Sequence, residues 1–368
     1  MLTAAVISLE SKSSLWTVEE MKNYFDKVDS MKINDIEVQL QPEGNGALVL
    51  YQGKPMGNYD CLYCKGSFRY ASLLRAISIA YKGKAYQPFS PNAFTLVHDK
   101  LLTHLKFQEY KIPMPKTYMP PNSSAAKKLL QDIEYPIIMK FPQGTQGKGV
   151  MFADSFASAS SILDALTSLR QPFIIQDYID TEGVDTRAIV VGDKVIAAMQ
   201  RKAVKGETRA NIHAGGIAEE CVLDANTKRI AINAAKSVGA EVCAVDILHG
   251  VKGPLVIELN ISPGLQGITE ITGKNVAKMI AEHLYNKTKE FKETEVTNGT
   301  NKIMQDIGIE TSEVTENKGN VHKDIISNVN LRGERILLPK FVTDSTLFND
   351  EDEVIINSHK GYVEIKKI

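Results

Sequence analysis

The chain is short of cysteine, lacks any long apolar run and carries no excess of either charge, and each shortage closes off a class of protein. Its 368 residues include four cysteines, at 61, 64, 221 and 243. That is too few for a disulfide framework at this size, so a reducing cytoplasm is the expected setting. Cys61 and Cys64 form a single CxxC within DCLYCKG. Zinc would need a second pair of ligands, and no CxxC or HxxxH follows, so the two read as small buried residues at a strand end. No stretch approaches the roughly eighteen apolar residues of a membrane helix. The 43 basic and 44 acidic side chains nearly cancel, which removes any general pull toward nucleic acid or membrane. The opening MLTAAVISLESKSS lacks the basic lead and cleavage site of a signal peptide and reads as a first strand. No Ser/His/Asp or Cys/His arrangement offers a protein nucleophile.

What remains is an ordinary globular composition, 43% hydrophobic and 24% charged, long enough for two or three packed units. Up to about residue 80 the pattern gives strands at Ala4 to Leu9, Ile36 to Leu40, Ala47 to Tyr51 and Cys61 to Lys65, with helices at Ser14 to Val28 and Tyr70 to Tyr81. This is an open α/β layer of Rossmann kind without the GxGxxG turn that binds a dinucleotide. A helix from Ala93 to Tyr110 follows, carrying HDKLL with Lys100, and Pro113 and Pro115 end it. Helices at Ser123 to Ile133, Ala157 to Leu169 and Thr227 to Val238 alternate with further strands.

Several of those strands carry charges where apolar residues belong. In PIIMKF, Lys140 must find an anion or reach the surface, because burying an unpaired ammonium is costly. The loop after it, QGTQGKG, has Gly144, Gly147 and Gly149 around Thr145 and Gln146. It is either a phosphate cradle or a long hairpin turn, and it is not a Walker loop, since no Lys-Ser or Lys-Thr closes it. In FIIQDYI the polar Gln176 and Asp177, with Tyr178 and Ile179, could border an adenine ring, or Tyr178 could be packing alone. Asp185 and Arg187 open a hairpin strand, and the loop TRANIHAGG offers Arg209 and Asn211 with a basic lead suited to anions.

The stretch AVDILHGVKGPLVIELNISPG reads as a buried hairpin with Asp246 on one strand and Glu258 on the other. Residues two apart on a strand share a face, so Glu258 and Asn260 project together, toward Asp246 if the strands pair. Such hard oxygens, completed by phosphate and water, suit magnesium.

The order DKLL, MKFPQGTQGKGV, IIQDYI, GVDTRAIVVGDKVIAAMQRKA, TRANIHAGG, AVDIL and VIELNISPGLQGIT resembles the RimK-type ATP-grasp α-L-glutamate ligases from His98 to about Ile280. The resemblance implies a mixed α/β and α+β fold. Residues 1–92 would be a Rossmann-like pre-ATP-grasp layer and 93–291 an ATP-grasp domain of two subdomains, followed by a disordered linker over 292–328 and a small β module over 329–368. It implies ATP, with Lys100 and Lys140 on the α and β phosphates and the Gly144 to Gly149 loop over the triphosphate. Gln176 to Ile179 would lie at adenine and Asp185 near the ribose or the incoming substrate. Arg187, Arg209 and Asn211 would stand at the reacting end, and Asp246, Glu258 and Asn260 would hold two Mg2+ or Mn2+ ions. Asp177 stands where the family more often has Glu. L-glutamate would be joined to a carboxylate on a small coenzyme, a ribosomal protein tail or a carrier protein.

The last strands, near Arg335 to Leu338, Glu353 to Asn357 and Tyr362 to Lys366, are weakly similar to the AbrB type of swapped-hairpin module. Glu351 replaces the usual glycine and the segment is acidic, which favours homo-oligomerisation over DNA contact. A nucleotide-binding regulator that touches DNA and turns nothing over is the competing reading.

Overall fold

The computed structural model describes residues 1–42, 47–144, 149–203, 217–306, 330–332, 335–337, 354–359 and 362–367. They fall into two units, Met1–Thr300 and Asn301–Ile368. No helix among them is long and apolar enough to cross a membrane.

The first unit begins with β1 (Thr3–Ser8), α1 (Lys12–Met21) and β2 (Lys27–Lys32). The expected helix to Val28 therefore stops early. Of KVDSMK only Met31 is buried, so nothing in its apolar pattern marks β2, and pairing with β1 in parallel register is what makes it a strand. The chain continues through β3 (Ile36–Leu40), β4 (Ala47–Tyr51), β5 (Lys54–Pro55), β6 (Cys61–Cys64) and α2 (Ala71–Ala80). β2, β1 and β6 form a parallel three-stranded sheet, and β3, β4 and β5 an antiparallel one. Cys61, Cys64 and Cys243 are buried and, like Cys221, free.

The single helix expected from Ala93 is two, α3 (Ala93–Leu96) and α4 (Lys100–Glu109), because Asp99 leaves helical backbone to cap the second. Then come β7 (Thr117–Tyr118), α5 (Ser123–Asp132), β8 (Ile137–Lys140), β9 (Val150–Ala153), α6 (Phe156–Ser168) and β10 (Ile174–Asp177). These make a four-stranded sheet in the order β7, β10, β8, β9. One face packs on α5 and α6 through Ile137, Met139, Ile175, Leu130 and Leu163, a small core of its own.

β11 (Val184–Val191), β12 (Lys194–Lys202), β13 (Ile217–Glu220), α7 (Ala225–Ser237), β14 (Val242–Gly250) and β15 (Gly253–Asn260) follow. The sheet order is β13, β12, β11, β14, β15. Ala188, Val245, Ile247, Val256 and Leu259 line one of its faces and join the main core shared with the N-terminal layer. α8 (Gln266–Thr272) follows, and α9 (Val276–Asp306) runs through the end of the unit at Thr300. α9 runs past the expected end near Phe291, so residues 292–306 are helical rather than part of a disordered linker. Lengthening a helix already nucleated and packed costs less than starting one. Lys292 also pairs with Asp60 at 3.1 Å.

In the second unit β16 (Asn330–Arg332) pairs with β17 (Arg335–Leu337), and β18 (Val354–His359) with β19 (Tyr362–Lys367), both antiparallel.

Candidate active site

Lys100 owes its place to the break before α4. The Asp99 carboxylate accepts from the backbone N–H of Leu101 at 2.9 Å and of Leu102 at 3.1 Å. Two orphan donors of the helix start are thereby satisfied and Lys100 becomes the first helical residue. Its Nζ donates to the Gly144 carbonyl at 3.1 Å and stands 3.6 Å from Glu258 Oε1.

Lys140 ends β8. Ile137 and Met139 enter the small core, so alternation sends Ile138 and Lys140 to the other face. There the buried ammonium donates to Gln176 Oε1 at 2.6 Å, and Gln176 Nε2 donates to Thr117 Oγ1 at 2.8 Å. Burial, with Lys100 adding its charge, pushes the Lys140 ammonium down to about 8, while Glu258 acts in the opposite direction. On the same face Phe152 of β9 meets Tyr178 edge to face, with 5.2 Å between ring centroids. Ile179 lies against the end of β14, where a Cβ on Gly250 would be 3.1 Å from Ile179 Cγ2. The Asp177 backbone N–H donates to Lys116 at 3.0 Å, and burial raises its carboxyl above the usual range.

The opposing wall is one face of the five-stranded sheet. Arg187 pairs across strands with Asp246, and Asp246 with Glu258. Asp185 and Asn260, each two residues along, share that face, and Arg201 stands opposite Asp185. The β14–β15 register shifts beside Asp246, pairing Val256 with Ile247 and Glu258 with Asp246 and leaving Ile257 extra. Without this bulge Val256 and Glu258 would share a face. With it, Val256 enters the core while Glu258 faces Asp246.

Arg187 forks onto Asp246, Nε to Oδ1 and Nη2 to Oδ2, both at 2.7 Å. Arg201 forks onto Asp185 at 2.6 and 2.7 Å and also reaches Asp246 at 3.1 Å. Burial works against an ionised Asp246, but Arg187 and Arg201 hold its carboxyl well below the usual range. Asp185 goes the other way: burial, then the charge of Asp246, raise it to about 6 against the pull of both arginines. Behind the lysines, burial and then Lys140 push His104 down to about 3, so its imidazole is neutral.

The two walls face each other through Lys100 and Glu258. Asp246, Glu258 and Asn260 offer hard oxygens from adjacent strands, the donor chemistry magnesium takes. Among the described residues no three His, Cys, Asp or Glu side chains form a ready cage. A cation at Asp246 must loosen the Arg187 fork. Asn260 Oδ1 accepts from the Ser262 N–H at 2.8 Å and keeps a second lone pair.

Of the other expected residues, Gly144 and Gly149 stand at the two ends of the β8–β9 connection. Thr145, Gln146, Gly147, Arg209 and Asn211 lie outside the described residues. Arg201, expected only as part of a basic lead suited to anions, forks onto Asp185 instead, and two neighbours, Phe152 and His104, were not foreseen as members of the site. A charge at the end of an apolar strand was the available signal for Arg201. Phe152 and His104 look like core residues until the sheet pairing and α4 are placed.

A family model described as the RimK-like ATP-grasp domain matches residues 97–284, a span that holds every described residue of this site. The chain belongs to the RimK-like ATP-grasp family. It is an ATP-grasp ligase, of the class that joins a carboxylate to an amine as an amide.

Two curated relatives are each named probable alpha-L-glutamate ligase. The one from Marinomonas sp. (strain MWYL1) is 34% identical over 272 residues, covering 72% of this chain and 88% of the relative. The one from Cellvibrio japonicus (strain Ueda107) is 39% identical over 203 residues, covering 55% and 67%. Among solved structures, the ATP-grasp ligase PsnB with a phosphomimetic precursor variant, Mg and ADP superposes with a TM-score of 0.61 at 16% identity, over 78% of this chain and 98% of PsnB. The RimK domain protein from Sphaerobacter thermophilus DSM 20745 gives 0.59 at 17%, over 77% and 99%. At such identities these two share the ATP-grasp fold with this chain.

Proposed function

We propose that this ATP-grasp ligase joins the amine of L-glutamate, through an α linkage, to a carboxylate on an acceptor, with ATP cleaved to ADP and phosphate. The observation that carries the reading is the convergence of Lys100 and Lys140 on Glu258, which pairs across strands with Asp246. The names of the curated relatives support glutamate as the amine.

An acceptor carboxylate and the γ-phosphoryl group repel each other, so the chain's first task is to neutralise and align them. Lys100 and Lys140 grip the α and β phosphates. The Gly144 to Gly149 loop covers the triphosphate, Gln176 to Ile179 with Phe152 flank the base, and Asp185 lies near the ribose or the incoming substrate. Two Mg2+ ions, or Mn2+, would be held by Asp246, Glu258 and Asn260, and when bound would screen phosphate charge. The carboxylate oxygen attacks γ-phosphorus, the bond to the bridging oxygen breaks, and ADP leaves an acyl phosphate. The glutamate amine then attacks that carbonyl carbon, and phosphate departs as the amine loses its proton. Arg187, Arg209 and Asn211 stabilise the oxygens on which negative charge gathers.

The acceptor is a small coenzyme, a ribosomal protein tail or a carrier protein, in the cytoplasm. The strands beyond residue 330 serve oligomerisation. The test is ADP release with ATP, L-glutamate and candidate carboxylates, followed by mass spectrometry of the acceptor. ADP formed only when both substrates are present, with a glutamate-sized mass gain, supports the ligase. Duplex DNA binding without turnover would favour the regulator instead.

A further inference from the structure

Among the described residues, Lys65 is the one buried ammonium without a part in the proposed mechanism. It directly follows β6 and is 3% exposed. Its Nζ finds no hydrogen-bond partner and no carboxylate among the described residues, its recorded company being the Tyr63 ring, with the centroid 5.8 Å away. Such a charge is usually paired, and a long lysine stem normally lets the head escape to water. Here it does not. Burial pushes the group down to about 8, and no opposite charge acts on it.

Its place in the sheet is informative. β1 leads through α1 to β2 on one side, while β6 leads through α2 to Tyr86, which bridges Cys61 in parallel on the other. The connections leave β1 and β6 in opposite directions, and in open α/β sheets ligands bind outside the strand carboxyl ends at such a switch point. Lys65 stands there.

The same edge meets the catalytic hairpin. The Gly66 N–H donates to Ser262 Oγ at 2.9 Å, the Ser262 N–H donates to Asn260 Oδ1 at 2.8 Å, and the Leu265 N–H donates to Ser13 Oγ at 2.8 Å. The segment Ser262 to Leu265 therefore roofs the crevice and links it directly to the strand bearing Glu258 and Asn260. It is tied to the layer by these serine hydroxyls and by Leu265, which is buried in the core that the hairpin shares with β1 and β6.

We propose that Lys65 is the counter-charge of a substrate-carboxylate subsite in this crevice, beside the end of β15. The assignment rests on the ligase reading, in which both substrates bear carboxylates: glutamate keeps its α and side-chain groups, and an acidic acceptor brings its own.

The test compares the full chain with Lys65→Met, and with Lys65→Gln should the methionine variant fail to fold. Thermal unfolding is followed without ligand, with L-glutamate and with a glutamate-ended peptide, and KM values for L-glutamate and ATP are measured. Without ligand Lys65→Met should unfold no lower than the wild type. A stabilising shift by L-glutamate that the variant loses, with a KM for glutamate raised roughly ten- to hundredfold and that for ATP unchanged, places the amino acid's carboxylate at Lys65. Loss of the peptide's shift alone places the acceptor's carboxylate there. Equal shifts and equal KM values in wild type and variant, or a wild type stabilised by neither probe, overturn the subsite. Wild-type ADP release with L-glutamate separates this failure from that of the ligase reading, since turnover can persist when the subsite falls.

Discussion

The Arg187 guanidinium meets both oxygens of Asp246 at 2.7 Å, so the carboxylate best placed to hold a cation is neutralised by the strand beside it. Asp246 is buried, and among the described residues Arg201 is its other cationic neighbour, at 3.1 Å. Breaking a buried pair leaves a charge uncompensated and costs roughly 3–5 kcal/mol. Arg187→Met should lower stability toward the smaller end of that range, because Arg201 retains part of the compensation. Urea unfolding checks it, and an unchanged midpoint would show that the fork contributes no stability.

Glu258 differs from its partner. Its side chain is 37% exposed, and the nearest cation among the described residues, Lys100, is 3.6 Å away. Glu258→Gln should therefore change stability by no more than about 0.5 kcal/mol, while turnover falls by about two orders of magnitude or more through loss of charge at the phosphate. Asp246→Asn should lose turnover and stability together, since two arginines lose a full countercharge. Near-normal rates for Glu258→Gln at low magnesium would remove Glu258 from the metal site.

The site was legible where a charge interrupts an apolar strand. Lys140, Asp246 and Glu258 each stand out in a run of aliphatics, and alternation alone placed Glu258 with Asn260. What pattern could not supply was register. The bulge at Ile257 follows from β14–β15 pairing, and the Arg201–Asp185 fork from β11–β12 pairing. The break at Asp99 was hidden because apolar residues recur at helical spacing on both sides of it. β2 and β13 were missed since neither KVDSMK nor IAEE buries a stripe; both are edge strands defined by their neighbours.

Lys140 makes the pH response two-sided. Its ammonium falls from the ordinary 10.5 to about 8 in the folded chain. Between those values the unfolded chain binds more protons, so stability rises with pH there and is lowest below about 8, where the buried group must carry charge. ATP affinity should run oppositely and weaken as pH climbs through 8, since the neutral amine no longer holds phosphate. Titration calorimetry with ATP against pH checks the second part. Lys140→Met should remove the pH dependence of ATP affinity but only part of that of stability, since Lys65 also falls to about 8, and a variant that keeps the wild-type affinity profile would reassign it.

Gly149 closes the β8–β9 connection with φ +80°, and a Cβ there would stand 2.2 Å from the Phe141 ring. Gly149→Ala meets both strain and clash, so a loss of about 1–3 kcal/mol is expected. The loop ends should shift with it, raising KM for ATP more than it lowers kcat. An unaltered KM would separate this end of the loop from the triphosphate.

Asp99 offers the finest separation of fold from site, because among the described residues its carboxylate bonds to the start of α4 alone while Lys100 is the next residue. Losing an N-cap costs about 1 kcal/mol, too little to unfold the chain but enough to fray the first turn, where Lys100 must point at Gly144 and Glu258. Asp99→Ala should raise KM for ATP several-fold with a modest drop in melting temperature. Asp99→Ser retains a capping oxygen and should restore most of both. If the alanine variant lost stability but bound ATP as before, the helix start would be structural support alone, and Lys100 would reach phosphate without it.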